Sequence, residues 1–138
     1  MTVTCFVDTN VLVYARDATD PEKLNRAKDW LTLLWELRAG RLSYQVLQEY
    51  YITVTRKLSP GMPELEAQDD VRAFFAWEPV VTNSEILEGA WSVQQRYGLN
   101  WWDALIVSAA RAAQCQYLLT DRWRQSKSVL DCCLYEVA

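Results

Sequence analysis

The chain has 138 residues, of which 51% are apolar and 7 are Trp, with a formal net charge of −4 and no histidine. That length suits one domain with a substantial core, and the apolar content excludes a disordered chain. The acidic balance excludes a bulk basic field for nucleic acid, so such a partner would need a local basic patch or a bound cation.

No apolar run approaches the ~20 residues of a membrane span. The opening Met1-Thr2-Val3-Thr4 leads into a strand with no signal peptide. Cys5, Cys115, Cys132 and Cys133 hold no metal-ligand spacing. They read as reduced thiols of a cytoplasmic protein.

In chain order, Val3 to Val7 is predicted as a buried strand, after which Thr9 or Asn10 caps a short helix through Tyr14 and Ala15. Asp20 and Pro21 start a second helix, whose Leu24, Ala27, Leu31, Leu34 and Leu37 keep helical spacing up to a stop at Gly40. Leu42-Ser43-Tyr44 suits a brief strand. Gln45 to Leu58 is predicted as a helix with Val46, Leu47, Tyr50 and Val54 inward and Glu49 at the border of that face.

Ser59-Pro60-Gly61-Met62-Pro63 is a loop. Glu64 to Trp77 reads as a helix and Pro79-Val80-Val81 as a short strand. Asn83 or Ser84 caps a helix closed by Gly98, and Asn100 caps another from Trp101 to about Ala113. Tyr117 to Thr120 is a strand, and Leu134 to Val137 suits a last one. Without repeats or linkers, residues 1–138 form a single domain. Short strands separated by helices predict an α/β fold with a parallel sheet covered on both faces.

Four acids stand out: Asp8 and Asp103 sit inside apolar runs, and Glu49 and Asp121 at the edges of apolar segments. Burying a carboxylate is costly unless it is paired or binds a metal. Asp8 and Asp121 directly follow strands, where ligands bind in parallel sheets. Asp103 falls in a first helical turn, where the helix dipole favours an ionised acid. With no histidine, convergent acids point to an oxygen-ligand site for Mg²⁺ or Mn²⁺. Thr9, Asn10 and Thr120 offer short polar side chains beside them.

Each acid also has an ordinary reading. Asp8 caps a helix, Glu49 borders an amphipathic face, Asp103 answers the dipole, and Asp121 opens a turn. Asp17, Asp20, Glu64, Glu66, Asp69, Asp70, Glu85 and Glu88 read as caps or solvated faces. Arg122, Arg124 and Lys127 follow Asp121 and suit either a phosphate backbone or a solvated loop. Trp101 and Trp102 suit base stacking or, as the preferred reading, core packing. An aspartyl nucleophile at Asp8 would want a second Asp at position 10, where Asn10 stands.

Four segments carry a resemblance. They are Phe6-Val7-Asp8-Thr9-Asn10-Val11-Leu12-Val13-Tyr14-Ala15, Gln45-Val46-Leu47-Gln48-Glu49-Tyr50-Tyr51, Trp102-Asp103-Ala104-Leu105-Ile106 and Leu118-Leu119-Thr120-Asp121. In this order they resemble the PIN domain, specifically the VapC-type toxins of toxin–antitoxin pairs. The resemblance implies a three-layer α/β/α sandwich around a short parallel sheet. It also implies Mg²⁺- or Mn²⁺-dependent endoribonuclease activity on RNA, a homodimer and a cognate antitoxin. Asp8, Glu49 and Asp103 match the family's first three acids, and Thr120 its hydroxyl beside the metal. The fourth acid departs, since the family's usual position is occupied by Arg122 and the acid, Asp121, stands one residue early. A one-residue shift along a strand turns a side chain to the other face. A non-catalytic PIN module that binds RNA or a protein partner is the alternative.

Overall fold

Three apolar residues, Cys5–Val7, form β1 at the centre of the molecule, and all three are buried. A computed structural model of the chain describes residues 3–121 and 133–137, with Cys133–Glu136 described by backbone alone. β1 pairs in parallel with β2 (Gly40–Arg41) on one side and with β3 (Tyr117–Thr120) on the other. β4 (Cys133–Glu136) closes the sheet against β3, giving the order β2-β1-β3-β4. The last pair is antiparallel, so the all-parallel expectation holds for β2, β1 and β3 only. Helices flank the sheet as the layers of an α/β/α sandwich.

α1 (Thr9–Tyr14) starts immediately after β1. Its N-cap is Asp8, not Thr9 or Asn10, because the Asp8 carboxylate accepts the Thr9 N–H at 2.7 Å. α2 (Pro21–Leu37) is capped by Asp20 as expected, its side chain accepting from the Lys23 N–H. It ends earlier than Gly40, on Arg38 in the left-handed region at φ 54°. Gly40 serves a different purpose in β2, since a Cβ there would lie 2.4 Å from the Trp77 ring. The brief strand expected at Leu42–Tyr44 is therefore shifted to Gly40–Arg41. The predicted Pro79–Val81 strand reduces to one bridge between Ser43 and Val80.

α3 (Tyr44–Ile52) is capped by Ser43 and buries Val46, Leu47 and Tyr50. The predicted helix to Leu58 continues only as a π-helical turn over Thr53–Lys57, in which the Leu58 N–H reaches the Thr53 carbonyl at 3.1 Å. α4 (Glu64–Phe74) likewise tightens into a 3₁₀ turn at Phe75–Trp77. α5 (Ser84–Tyr97) is capped by Asn83 and closed by Gly98 at φ 67°. α6 (Trp101–Ala112) is capped by Asn100.

The main core joins Phe6, Val7, Val11, Leu12, Val46, Ile106, Leu118 and Leu119 around the sheet. A second cluster, Ile86, Ala90, Val93, Ala104 and Leu105, holds α5 against α6. Fully burying each of the larger aliphatic or aromatic side chains contributes about 1.5–3 kcal/mol.

Candidate active site

Asp8 lies at the C-terminal end of β1 and is fully buried. Its backbone N–H extends the β1–β3 ladder to the Leu119 carbonyl at 3.0 Å. One carboxylate oxygen caps α1 through the Thr9 N–H; the other accepts the Thr120 hydroxyl at 2.8 Å. Thr120 Oγ1 in turn accepts from Asn10 Nδ2 at 3.3 Å. Capping therefore uses only one Asp8 oxygen, and both readings of that residue hold together. Asn10 Oδ1 and Thr9 Oγ1 are buried with no hydrogen-bond partner among the described residues. Orphaned buried acceptors are costly, which marks this corner as a place for an electropositive guest.

Asp121 follows β3, and its carboxylate accepts a hydrogen bond from the Tyr14 hydroxyl on α1. Asp8 and Asp121 are thus both engaged by α1 at the same edge of the sheet. Asp103, 8% exposed, lies in the first turn of α6. It forms a reciprocal pair with Asn100: the Asp103 N–H donates to Asn100 Oδ1 and Asn100 Nδ2 donates back to the carboxylate, each at 2.9 Å. Glu49, half-buried on α3, accepts from Gln45 Nε2 at 3.0 Å.

Hard divalent cations take oxygen donors. The Asp8 carboxylate and the orphaned Asn10 Oδ1, both beside Thr120, are donors of that kind, whereas the carboxylates of Asp103, Glu49 and Asp121 are engaged by Asn100, Gln45 and Tyr14. Their spacing is looser than the sequence led us to expect. Among the described residues, no three acids stand close enough together to hold an ion between them.

Two expectations about neighbouring residues change. Asp70, read as a solvated acid, has a side chain only 15% exposed and joins two helices. It accepts the Tyr50 hydroxyl at 2.5 Å and a two-pronged contact from Arg16 at 2.5 and 3.0 Å. That hydrogen bond raises the Arg16 pKa further, and burial above all pushes the Tyr50 phenol up. Sequence spacing gave no signal for Asp70, because its partners lie on α3 and just beyond α1. Trp102, preferred as core, is 60% exposed beside Asp103, while Trp101 stacks with Trp91 at a centroid distance of 6.2 Å.

Cys5 and Cys115 are buried free thiols, as expected. Burial first, and the neighbouring Cys115 second, push the Cys5 thiol up to about 12; burial pushes Cys115 up to about 11. Arg122, Arg124, Lys127 and Cys132 lie outside the described residues, as does the Cys133 side chain. Among the described residues no helix is long and apolar enough to cross a membrane.

A parallel sheet with a buried acid at the C-terminal end of β1, flanked by helices, defines an α/β/α domain. The profile of the PIN domain family matches residues 5–129, and the chain belongs to that family. PIN domains are in general nucleases that use divalent metal ions. No curated protein matches the chain. Among solved structures, a chain described as "Toxin-antitoxin complex from Klebsiella pneumoniae" matches with a TM-score of 0.63 and 18% identity. The match covers 91% of this chain and 92% of that one, a likeness of fold.

Proposed function

We propose that this protein is a metal-dependent endoribonuclease, the toxin of a type II toxin–antitoxin pair, acting in the cytoplasm on single-stranded RNA. The observation that carries the reading is the buried Asp8 carboxylate, held by Thr120 beside the orphaned Asn10 Oδ1 in a chain of the PIN family. Asp8 and Asp103 would hold Mg²⁺ or Mn²⁺, with Glu49 and Asp121 reaching it through water. Such an ion, when bound, supplies positive charge to the scissile phosphate and acidity to the attacking water.

The chain's own residues do the rest. Thr120 and the Thr9 N–H fix the Asp8 carboxylate, and Asn10 fixes Thr120. A neighbouring carboxylate takes the proton of the attacking water. The exposed Trp102 indole offers a stacking face for an unpaired base beside Asp103. Arg122, Arg124 and Lys127 would contact the phosphate backbone on either side. With no histidine in the chain to activate a serine or cysteine, hydrolysis proceeds without a covalent intermediate.

An antitoxin and a second copy of the chain are the expected protein partners. One structural neighbour is described as a toxin–antitoxin complex, and an apolar groove of about 510 Å³ between α3 and α4 supports a protein partner. Tyr44, Ile52 and Phe75 present partly exposed apolar surface there. We take the antitoxin as its occupant.

The second reading is a PIN module that binds RNA or a protein without cutting. It is favoured by the spacing of the acids and by Arg122 at the family's usual fourth-acid position. Cleavage of an end-labelled panel of tRNAs and single-stranded RNAs with Mn²⁺, Mg²⁺ or EDTA separates the two. The nuclease reading requires metal-dependent cutting by the wild type and none by a folded Asp8→Asn variant. A folded wild type that leaves every RNA intact establishes the binding module instead.

A further inference from the structure

At the end of the sheet away from Asp8, a hollow of about 410 Å³ opens beside β2, lined by Trp35, Trp77, Gly40, Arg38, Arg41 and Glu78. Gly40 pairs with Cys5 at the start of β1, whereas Asp8 follows the last residue of that strand, about 10 Å further along at the usual rise per residue. The volume of the hollow lies within the range of small-molecule sites. Its aromatic wall is braced on the inside and open on the outside. The Trp35 ring sits 5.0 Å from that of Trp77 and 5.5 Å from that of Phe74, yet the residue remains 38% exposed. A ring held in this way offers a face for a flat partner.

The charges specify the rest of that partner. Arg38 ends α2 at φ 54° and Glu78 ends the 3₁₀ turn at φ 53°. Glycine or asparagine is the usual residue in that left-handed region, where longer side chains are strained. Among the described residues only three that are not glycine adopt it, and two of them line this hollow. The chain thus carries a charged side chain at two places where the backbone favours none, and strain of that kind gathers at ligand sites. Arg41 is fixed as well, its Nη1 donating to the Gly40 carbonyl at 2.8 Å and to the Arg38 carbonyl at 3.2 Å. None of the three is in an ion pair among the described residues. Two guanidinium groups without an acid partner suit a phosphate, and a carboxylate suits the N–H groups of a base.

We propose that this hollow is a nucleotide-binding site separate from the Asp8 site: a base stacks on Trp35, its N–H groups donate to Glu78, and the phosphate is held by Arg38 and Arg41. Guanine suits it best, because its N1–H and exocyclic amine lie side by side and meet both oxygens of one carboxylate. The occupant is a free nucleotide or one nucleotide of an RNA strand, the chemistry being the same. The proposal does not rest on the ribonuclease reading.

The test uses the full chain in EDTA, so that no cation at Asp8 draws the phosphate. Calorimetry reads the binding of GMP, guanosine and inorganic phosphate to the wild type, Arg38→Gln, Glu78→Gln and Asp8→Asn. The wild type should bind GMP at least about tenfold more tightly than guanosine or phosphate, since each of these fills only part of the site. Arg38→Gln should weaken GMP by about tenfold and leave guanosine unchanged, whereas Glu78→Gln should weaken GMP and guanosine alike and leave phosphate unchanged. Asp8→Asn should bind GMP as the wild type does.

Arg38 and Glu78 are both exposed, so neither change opens the core; if Arg38→Gln nonetheless fails to fold, Glu78→Gln decides. The proposal is overturned if the folded wild type shows no saturable GMP binding below about 1 mM, or if either variant binds GMP as the wild type does. Loss of GMP binding in Asp8→Asn overturns it too, because it puts the nucleotide at the other site. A single-stranded RNA that displaces GMP names a strand's nucleotide as the occupant, and one that fails to displace it names the free nucleotide. If the wild type cuts no RNA yet binds GMP in this pattern, the ribonuclease reading falls and this site stands.

Discussion

At the scale of single residues, the buried acids are decided by which partner each one finds. Asp8 divides its two oxygens between a helix cap and the Thr120 hydroxyl, so capping and site formation do not compete. Asp70 shows the same economy away from the candidate site, accepting both the Tyr50 phenol and the Arg16 guanidinium. Tyr50 is only 2% exposed, so removing its acceptor strands a buried hydroxyl. Asp70→Ala should therefore destabilise the fold by about 1–3 kcal/mol, the cost of an unsatisfied buried group. Urea unfolding checks this, with Tyr50→Phe in the Asp70→Ala background recovering part of the loss. A change below about 0.5 kcal/mol would place the contact among weak surface pairs.

At the scale of elements, two glycines work through the side chain they lack. A Cβ on Gly89 in α5 would meet the Ser108 hydroxyl of α6 at 2.5 Å. That hydroxyl donates to the Ile86 carbonyl at 2.8 Å, so it cannot swing aside without giving up a buried bond. Alanine is the better helix former by about 1 kcal/mol, but overpacking typically costs about 1–3 kcal/mol. Gly89→Ala should lower the melting temperature, and Ser108→Ala added to it should restore most of the loss. A higher melting temperature for Gly89→Ala alone would show that α5 and α6 yield at that contact. Gly40 is the second case: its backbone lies under the Trp77 ring, which itself packs edge-on against Phe74 at 4.9 Å. That contact couples β2 to the end of α4, two elements far apart in sequence.

At the scale of the molecule, the central sheet sets both stability and alkaline tolerance. Cys5 of β1 and Cys115, just before β3, are held neutral by burial, with thiol values raised from 9.0 to about 12 and about 11. An unfolded chain ionises these thiols near their ordinary value while the folded chain resists. Their contribution to stability is complete below pH 9 and is lost as pH rises from there toward 11–12. The urea midpoint should fall between pH 8 and pH 10.5, and Cys5→Ala should flatten that fall. A slope unchanged by Cys5→Ala would assign the alkaline loss to other groups, Tyr50 first among them.

The sequence by itself determined the helices and their ends wherever a local signal exists. Asp20 with Pro21, Asn83, Gly98 and Asn100 all mark the boundaries that the chain adopts, because caps act within a few residues. It likewise determined that Asp8 and Asp103 are buried, since an acid inside an apolar run has no other place to go. Only the tertiary structure decided what depends on residues distant in sequence. The tie of Tyr14 to Asp121, the clasp of Asp70 on Tyr50 and Arg16, and the exposure of Trp102 all belong here. So do the place of Gly40 under Trp77 and the antiparallel β4. Periodicity specifies which face of an element is apolar, whereas the partner that face meets is fixed by how the chain crosses the sheet.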